Sequence, residues 1–195
     1  MIAFVKGILV EKNPTFALIE SNGIGYMIHI SLQTYSKLPQ ANESCKLLTH
    51  LVVREDAHML YGFHTEKERI LFRQLITVSG IGTNTARMML SAMNTNELTA
   101  AILNENSKLL QGIKGIGAKT AQRVVLDLKD KVDKDVSALD KILTAHNTNK
   151  DEALLALVSL GFVKNNADIA LSKIIKAEGS ELSIEVLIKK ALQIL

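Results

Sequence analysis

The sequence predicts an α+β chain of several domains: an amino-terminal barrel of five short strands, an all-helical middle segment, and a small carboxy-terminal bundle of three helices. Three observations carry this. The hydrophobic period is near two over residues 1–63 and becomes helical from Thr65 onward. The middle segment writes one turn twice, as "SGIGTNTARMML" (Ser79–Leu90) and "KGIGAKTAQRVVL" (Lys114–Leu126), with Gly115 following Gly80 by 35 residues. A polar, weakly periodic stretch at 134–149 then precedes the last 46 residues.

Within residues 1–63, "AFVKGILVEK", "TFALIES", "GYMIHIS", "SCKLLTHLVVR" and "HMLYGF" are short and rich in β-branched or aromatic residues. Turn residues bound them at Asn13-Pro14, Ser21-Asn22-Gly23 and Arg54-Glu55-Asp56. Five short strands in so few residues point to a small closed barrel, for which the five-stranded OB-fold is the natural candidate. "LQTYSKLP" reads as a short helix between the third and fourth strands.

Residues 64–133 form the second segment. "EKERILFRQLITV" places Ile70, Leu71, Leu75 and Val78 on one helical face. Further helices are expected at about 83–93, 95–105, 107–111 and 118–132, joined by short loops. Residues 134–149 read as a flexible linker with a transient helix around Ala138–Leu143. Residues 150–195 carry helical patterns at 150–160, 164–177 and 181–194, broken at Gly161 and at Gly179-Ser180. So short a bundle is only marginally stable alone, and its apolar surface calls for a partner.

Composition narrows the function. The 47% apolar content supports real cores, while 4% aromatic residues and no Trp argue against a surface built on base stacking. Cys45 stands alone, which leaves no disulfide framework or cysteine metal cluster, and it reads as a small core residue. No signal peptide is apparent, and the longest apolar run, "ALLALVSLGFV" (Ala153–Val163), is too short to span a bilayer. A soluble cytoplasmic protein with no membrane partner is expected. The net charge of +3 is localised: Lys/Arg against Asp/Glu is 5 to 5 in residues 1–63, 10 to 7 in 64–133 and 8 to 8 in 134–195. The excess lies in the segment with the repeated turn, as a phosphate-binding surface would leave it.

The turn itself explains how. Glycines at Gly80, Gly82, Gly115 and Gly117 allow left-handed backbone and close approach by another molecule. The helix that follows each turn opens with unpaired N–H groups of partial positive charge. Together they make a site where a phosphate oxygen accepts bonds from main-chain amides. Ile81 and Ile116 would plug the turns, Ala86 and Ala121 would allow close helix packing, and Lys119 and Arg123 add charge. A dinucleotide fingerprint would need a third glycine where Thr85 and Thr120 stand. A nucleotide-hydrolase phosphate loop would need Lys where "GIKGIGAKT" has Ala118. Backbone amides read phosphates and not bases, so two such sites should hold duplex geometry without sequence preference.

With these residues in view, the chain resembles the RuvA family, the junction-recognition subunits of the bacterial Holliday-junction branch-migration complex. "GIGxxTA" is similar to the helix-hairpin-helix motif, and the likeness extends through "MIAFVKGILVEK", "VVREDAHMLYGF", "LFRQLITVSGIG", "GIGAKTAQRVVLDLKDK" and "ALVSLGF". The resemblance implies DNA-backbone contacts at Gly80, Ile81, Gly82, Thr83, Asn84, Thr85, Gly115, Ile116, Gly117, Ala118, Lys119, Thr120, Arg123 and Arg54. It implies an acidic pin at Glu55 and Asp56 that steers strands at the crossover. It further implies a homotetramer or octamer, and no cofactor. The last bundle resembles ubiquitin-associated modules and would dock the RuvB motor ATPase, with Leu157, Leu160 and Phe162 as contact candidates. The RuvC resolvase is expected in the same complex, which serves recombination, DNA repair and the SOS response.

The expected role is therefore non-catalytic, with ATP hydrolysis left to the motor. Relatives often carry Lys where this chain has Asn84, the repeat equivalent of Lys119, so the first hairpin leans on amides and on Arg87. Two rivals stand beside this reading. One is a helix-hairpin-helix glycosylase or nuclease using Lys119 with Asp127 or Asp130, although no aromatic-walled base pocket is apparent. The other is a protein scaffold with incidental DNA affinity.

Overall fold

In the computed structural model, residues 1–144, 149–179 and 182–195 are described. The fold divides into two compact units, Met1–Asp135 and Val136–Leu195.

Strands β1 (Phe4–Lys12), β2 (Phe16–Ser21), β3 (Ile24–Ile30), β4 (Ser44–Val53) and β5 (His58–Phe63) close into a barrel in the order β1-β2-β3-β5-β4. All neighbouring pairs are antiparallel except β3 with β5. Closure removes the unpaired edges that an open sheet of this size would expose. The register of β1 on β2 shifts between Leu9 and Glu11, a bulge that bends β1 so that it can also pair with β4. Alternate residues turn inward, and Val5, Leu9, Ala17, Ile19, Ile28, Ile30, Cys45, Leu47 and Leu60 fill the interior. Helix α1 (Leu32–Tyr35) follows β3, with Ser31 as its side-chain cap.

The helical part begins with α2 (Glu66–Leu75), capped by Thr65, whose hydroxyl accepts from the Glu68 amide. Then follow α3 (Thr83–Ala92), α4 (Thr95–Leu103), α5 (Ser107–Gln111) and α6 (Ala118–Thr144). Asn94 and Glu97 form a reciprocal capping box at α4. On α2, Leu71 and Leu75 are buried as the periodicity requires, and so is Phe72, whose ring lies 4.9 Å from Phe63, 5.1 Å from Tyr61 and 5.7 Å from His50.

Polar bonds lock this part onto the barrel. Glu68, fully buried on α2, accepts hydrogen bonds from Ser31 Oγ and, at 2.7 Å, from Thr34 Oγ1. Arg69 donates to the Ala3 carbonyl (2.8 Å) and Arg87 to the Thr15 carbonyl (2.8 Å). Gln33 exchanges bonds with Thr95 at 2.9 Å.

Helix α6 continues through Thr144, so helical backbone covers most of the 134–149 stretch, including Ala138–Leu143, where a transient helix is expected within the linker. Its polar residues give a weak period but are no obstacle to helix. Residues 145–148 of the expected linker lie outside the described residues, as do Ser180 and the first residue of the helix expected at 181–194.

In the second unit, α7 (Asn149–Ser159), α8 (Lys164–Glu178) and α9 (Ile184–Ala191) pack around Ala153, Leu157, Ala167, Ala170, Leu171, Ile174, Leu187 and Ala191. Gly161 and Gly179 end α7 and α8 at φ of 100° and 95°, where a Cβ would be strained. Among the described residues, no helix is long and apolar enough to cross a membrane.

Candidate nucleic-acid interface

The repeated sequence folds into a turn repeated bond for bond. In the first copy the amides of Thr77, Val78 and Ile81 donate to the carbonyls of Gln74, Leu75 and Val78 at 3.0–3.1 Å. In the second, the amides of Gly112, Ile113 and Ile116 donate to Leu109, Leu110 and Ile113 at 3.0–3.2 Å. Each turn then enters its helix through a glycine carbonyl, Gly82 to Ala86 and Gly117 to Ala121, both at 2.9 Å.

The glycines divide into two kinds. Gly80 and Gly115 have φ of 93° and 89°, so the turn itself requires them. Gly82 has φ −85° and ψ 172°, which any residue adopts, and a Cβ there would touch nothing. A Cβ at Gly117 would also touch nothing. The fold leaves these two positions bare without needing to. That leaves open space in front of the amides behind them. Gly82 caps α3 without any side-chain acceptor, unlike Thr65 at α2 and Asn94 at α4, so the first-turn amides of α3 stay open to an outside anion.

Other predicted residues sort themselves by geometry. Ile81 and Ile116 are 5% exposed plugs whose amides already bond within the turns. They shape the site and are withdrawn as phosphate donors. The Thr83 hydroxyl accepts from Tyr61 Oη at 2.8 Å and is turned to the barrel. Asn84, Ala118, Lys119 and Arg123 are exposed, while Thr85 and Thr120 are half-buried. Thr120 Oγ1 stands 3.9 Å from where a Gly80 Cβ would lie, and Met88 Cε stands 3.7 Å from the same point on Gly115. Each turn therefore packs on the helix of the other copy. Arg87 Nη1 donates to the Thr15 carbonyl at 2.8 Å.

Arg54, Glu55 and Asp56 form the exposed tip between β4 and β5, closed by the Arg54 amide donating to the Ala57 carbonyl at 2.9 Å. Two adjacent carboxylates on a tight tip concentrate negative charge without a neutralising ion pair among the described residues. In the carboxy-terminal unit, Leu157 is 0% exposed and belongs to the core, so it is withdrawn as a docking contact. Phe162 is half-buried against that core, and Leu160 is 62% exposed. The apolar surface omitted from the sequence reading is Leu155, Val158, Val163 and Ile169. Leu155 and Val158 share a face of α7 by their i, i+3 spacing, but that helix is apolar on several sides, so its phase could not be read.

Family comparisons match this architecture in order. Residues 1–62 match the RuvA N terminal domain, 72–130 the SAM-like Helix-hairpin-helix tandem, and 148–195 the RuvA, C-terminal domain. Proteins named "Holliday junction branch migration complex subunit RuvA" are similar over their full length. The one from Christiangramia forsetii is 52% identical, and that from Flavobacterium psychrophilum 47%, each with 99% of both chains covered. The Cytophaga hutchinsonii protein is 44% identical over 99% of both chains. With barrel, doubled hairpin and terminal bundle matched in sequence and in order, the chain belongs to the RuvA family.

Proposed function

We propose that the chain binds four-way (Holliday) junction DNA by structure and not by sequence, and serves as the DNA-binding subunit of a branch-migration complex in recombination and repair. The observation that carries the reading is the pair of identical turns whose helix-opening glycines are bare for no internal reason. Two such sites on one body hold a duplex arm at two points of its backbone, and weak contacts add through effective concentration. Residues 64–133 grip the arm. In a homotetramer the Glu55–Asp56 tips would gather near the crossover, where like charges about 4 Å apart repel by roughly 1 kcal/mol in water and more in lower dielectric. That repulsion parts the strands into neighbouring arms. Residues 150–195 dock the RuvB motor, which hydrolyses the ATP, and RuvC joins the same complex. The glycosylase or nuclease reading is not favoured, since Asp127 and Asp130 lie exposed on α6.

Competition between a four-way junction and linear duplex of equal length tests the proposal. Junction preference with steep salt dependence is expected, and equal binding overturns it. Charge reversal at Glu55 and Asp56 to Lys should preserve binding and alter migration by the assembled complex.

A further inference from the structure

We infer that α1 splints the joint between the barrel and the hairpin helices, and that Gln33 on it is a positioning residue for junction selectivity. It fixes the angle between the acidic tip and the phosphate-gripping turns. The inference rests on the proposed reading of that tip and those turns. The chain passes from the barrel to the helical part once, from the end of β5 at Phe63 through His64 and Thr65 into α2. A single crossing works as a hinge unless bonds span it. Strand β5 also rises from the Arg54–Asp56 tip, so bending at the crossing changes the angle between the tip and the first turn. Arg69, Arg87 and Tyr61 tie the two parts elsewhere, each to one place.

Helix α1 reaches three helices at once. With 4 residues it is too short to hold itself as a helix, and its polar groups are spent outward. Thr34 Oγ1 accepts from the His64 amide at 3.0 Å and donates to Glu68 of α2 at 2.7 Å, so one hydroxyl bonds both sides of the crossing. The Leu32 amide donates to Ser91 Oγ of α3 at 3.0 Å. Gln33 holds the start of α4: its Oε1 accepts from the Thr95 amide at 2.9 Å, and its Nε2 donates to Thr95 Oγ1 at 2.9 Å. Helices α2 and α3 flank the first turn, and α4 leads on to α5 and the second. These bonds differ in what their loss would do. Ser31, Thr34 and Glu68 are buried, so removing one strands a partner away from water. Gln33 and Thr95 are half-buried, and water can take the place of a lost partner. Gln33 can therefore be removed with the fold intact and the angle released. A linear duplex asks only that one pair of turns match its backbone. A junction also asks that arms held by neighbouring subunits meet at the tips, so junction binding is the one that senses the angle.

The test measures the affinity of the full chain for a synthetic four-way junction and for linear duplex of equal length, with the ratio of the two as the readout. Gln33→Ala should weaken junction binding about tenfold, the scale of two neutral hydrogen bonds, and leave duplex binding within about twofold. Gln33→Glu keeps an acceptor for the Thr95 amide and for its hydroxyl, which lies 3.2 Å from Oε1, and sets a negative charge at the start of α4, where the helix favours it. It should restore the ratio, since the added charge repels both DNAs alike. Ser91→Ala removes the acceptor of the Leu32 amide and serves as a second variant, with the ratio expected to shrink in the same way. A proportional loss on both DNAs in Gln33→Ala and Ser91→Ala marks general damage and overturns the inference. So does an unchanged ratio in both, or a Gln33→Glu protein no better than Gln33→Ala. In each of these cases the junction preference of the unsubstituted protein stands. Absence of that preference defeats the proposed function instead, and the inference with it.

Discussion

Tyr61 donates its phenolic hydroxyl to Thr83 Oγ1 at 2.8 Å, which joins the last barrel strand to the first residue of the helix behind the first hairpin turn. Both groups are buried, and the Tyr61 ring is held between His29 and Phe72, with centroids at 5.5 and 5.1 Å. The barrel thereby sets the direction in which α3 presents its amides. Tyr61→Phe keeps the ring packing and strands the Thr83 hydroxyl, at a cost of about 1–3 kcal/mol. A fall in Tm of about 2–4 °C per kcal/mol is expected for a chain of this size. Thr83→Val in the same background removes the stranded group and should recover part of the loss. A simple sum of the two single effects in the double variant would show that the bond does not couple them.

The four turn glycines should separate stability from binding. Gly80→Ala and Gly115→Ala force a Cβ into positive φ and should destabilise by about 1–3 kcal/mol. Gly82→Ala meets ordinary φ and open space, so its melting temperature should stay close to that of the unsubstituted chain, and open space at Gly117 predicts the same there. Junction affinity should nonetheless drop for both, because the new methyl group stands where a phosphate must approach. Unaltered affinity in Gly82→Ala and Gly117→Ala would remove these turns from the interface.

Glu68 gives the fold a titration of unusual sign. Burial pushes its carboxyl above the ordinary range, opposed by the hydroxyls of Ser31 and Thr34. Those hydroxyls each accept a backbone N–H, from Thr34 and His64 at 3.0 Å, so their protons are directed at Glu68. With the folded pKa above the unfolded one, the native state binds the proton more tightly. The contribution of this group is greatest below its unfolded pKa of about 4.3 and declines as pH rises through its raised native value. His29 and His50 act oppositely, since burial and nearby arginines depress them and acid then favours the unfolded chain. Comparison with Glu68→Gln cancels the histidines. Denaturant unfolding of both proteins between pH 4 and 8 should show the stability difference, native minus variant, shrinking as pH rises. A difference flat with pH would contradict a raised carboxyl.

Much of this was legible in the sequence because it is local. Strand alternation, turn residues and the duplicated G-I-G placed the barrel and both hairpins within a residue or two, and the same repeat exposed the missing charge at Asn84. What stayed hidden depends on partners distant in the chain. The burial of Glu68 depends on Ser31 and Thr34, 37 and 34 residues away, which bond to it. The Thr83 hydroxyl is engaged by Tyr61, 22 residues away in the chain. Arg87 reads as a spare cation until the Thr15 carbonyl fixes it. At α6 the helix continues through Thr144, into the 134–149 stretch whose weak period reads as a linker with a transient helix around Ala138–Leu143.

The carboxy-terminal unit shows how a continuous apolar run conceals its own phase. In "ALLALVSLGF", any of several leucines could face inward, and the structure buries Leu157 fully while leaving Leu155 and Leu160 60% and 62% exposed. Leu157→Ala should therefore cost about 2–5 kcal/mol and melt a bundle that has little stability to lose. Leu155→Ser with Val158→Ser and Leu160→Ser removes exposed surface only, so the helical signal of the unit should survive. If this face docks the motor, the triple variant should still bind junctions with unchanged affinity and fail to stimulate ATP-driven migration by the partner ATPase. Full stimulation by the triple variant would move the docking face elsewhere on the bundle, to the Val163 and Ile169 side. Loss of junction binding would instead mean that the terminal unit contributes to the DNA grip, against the division of labour between hairpins and bundle.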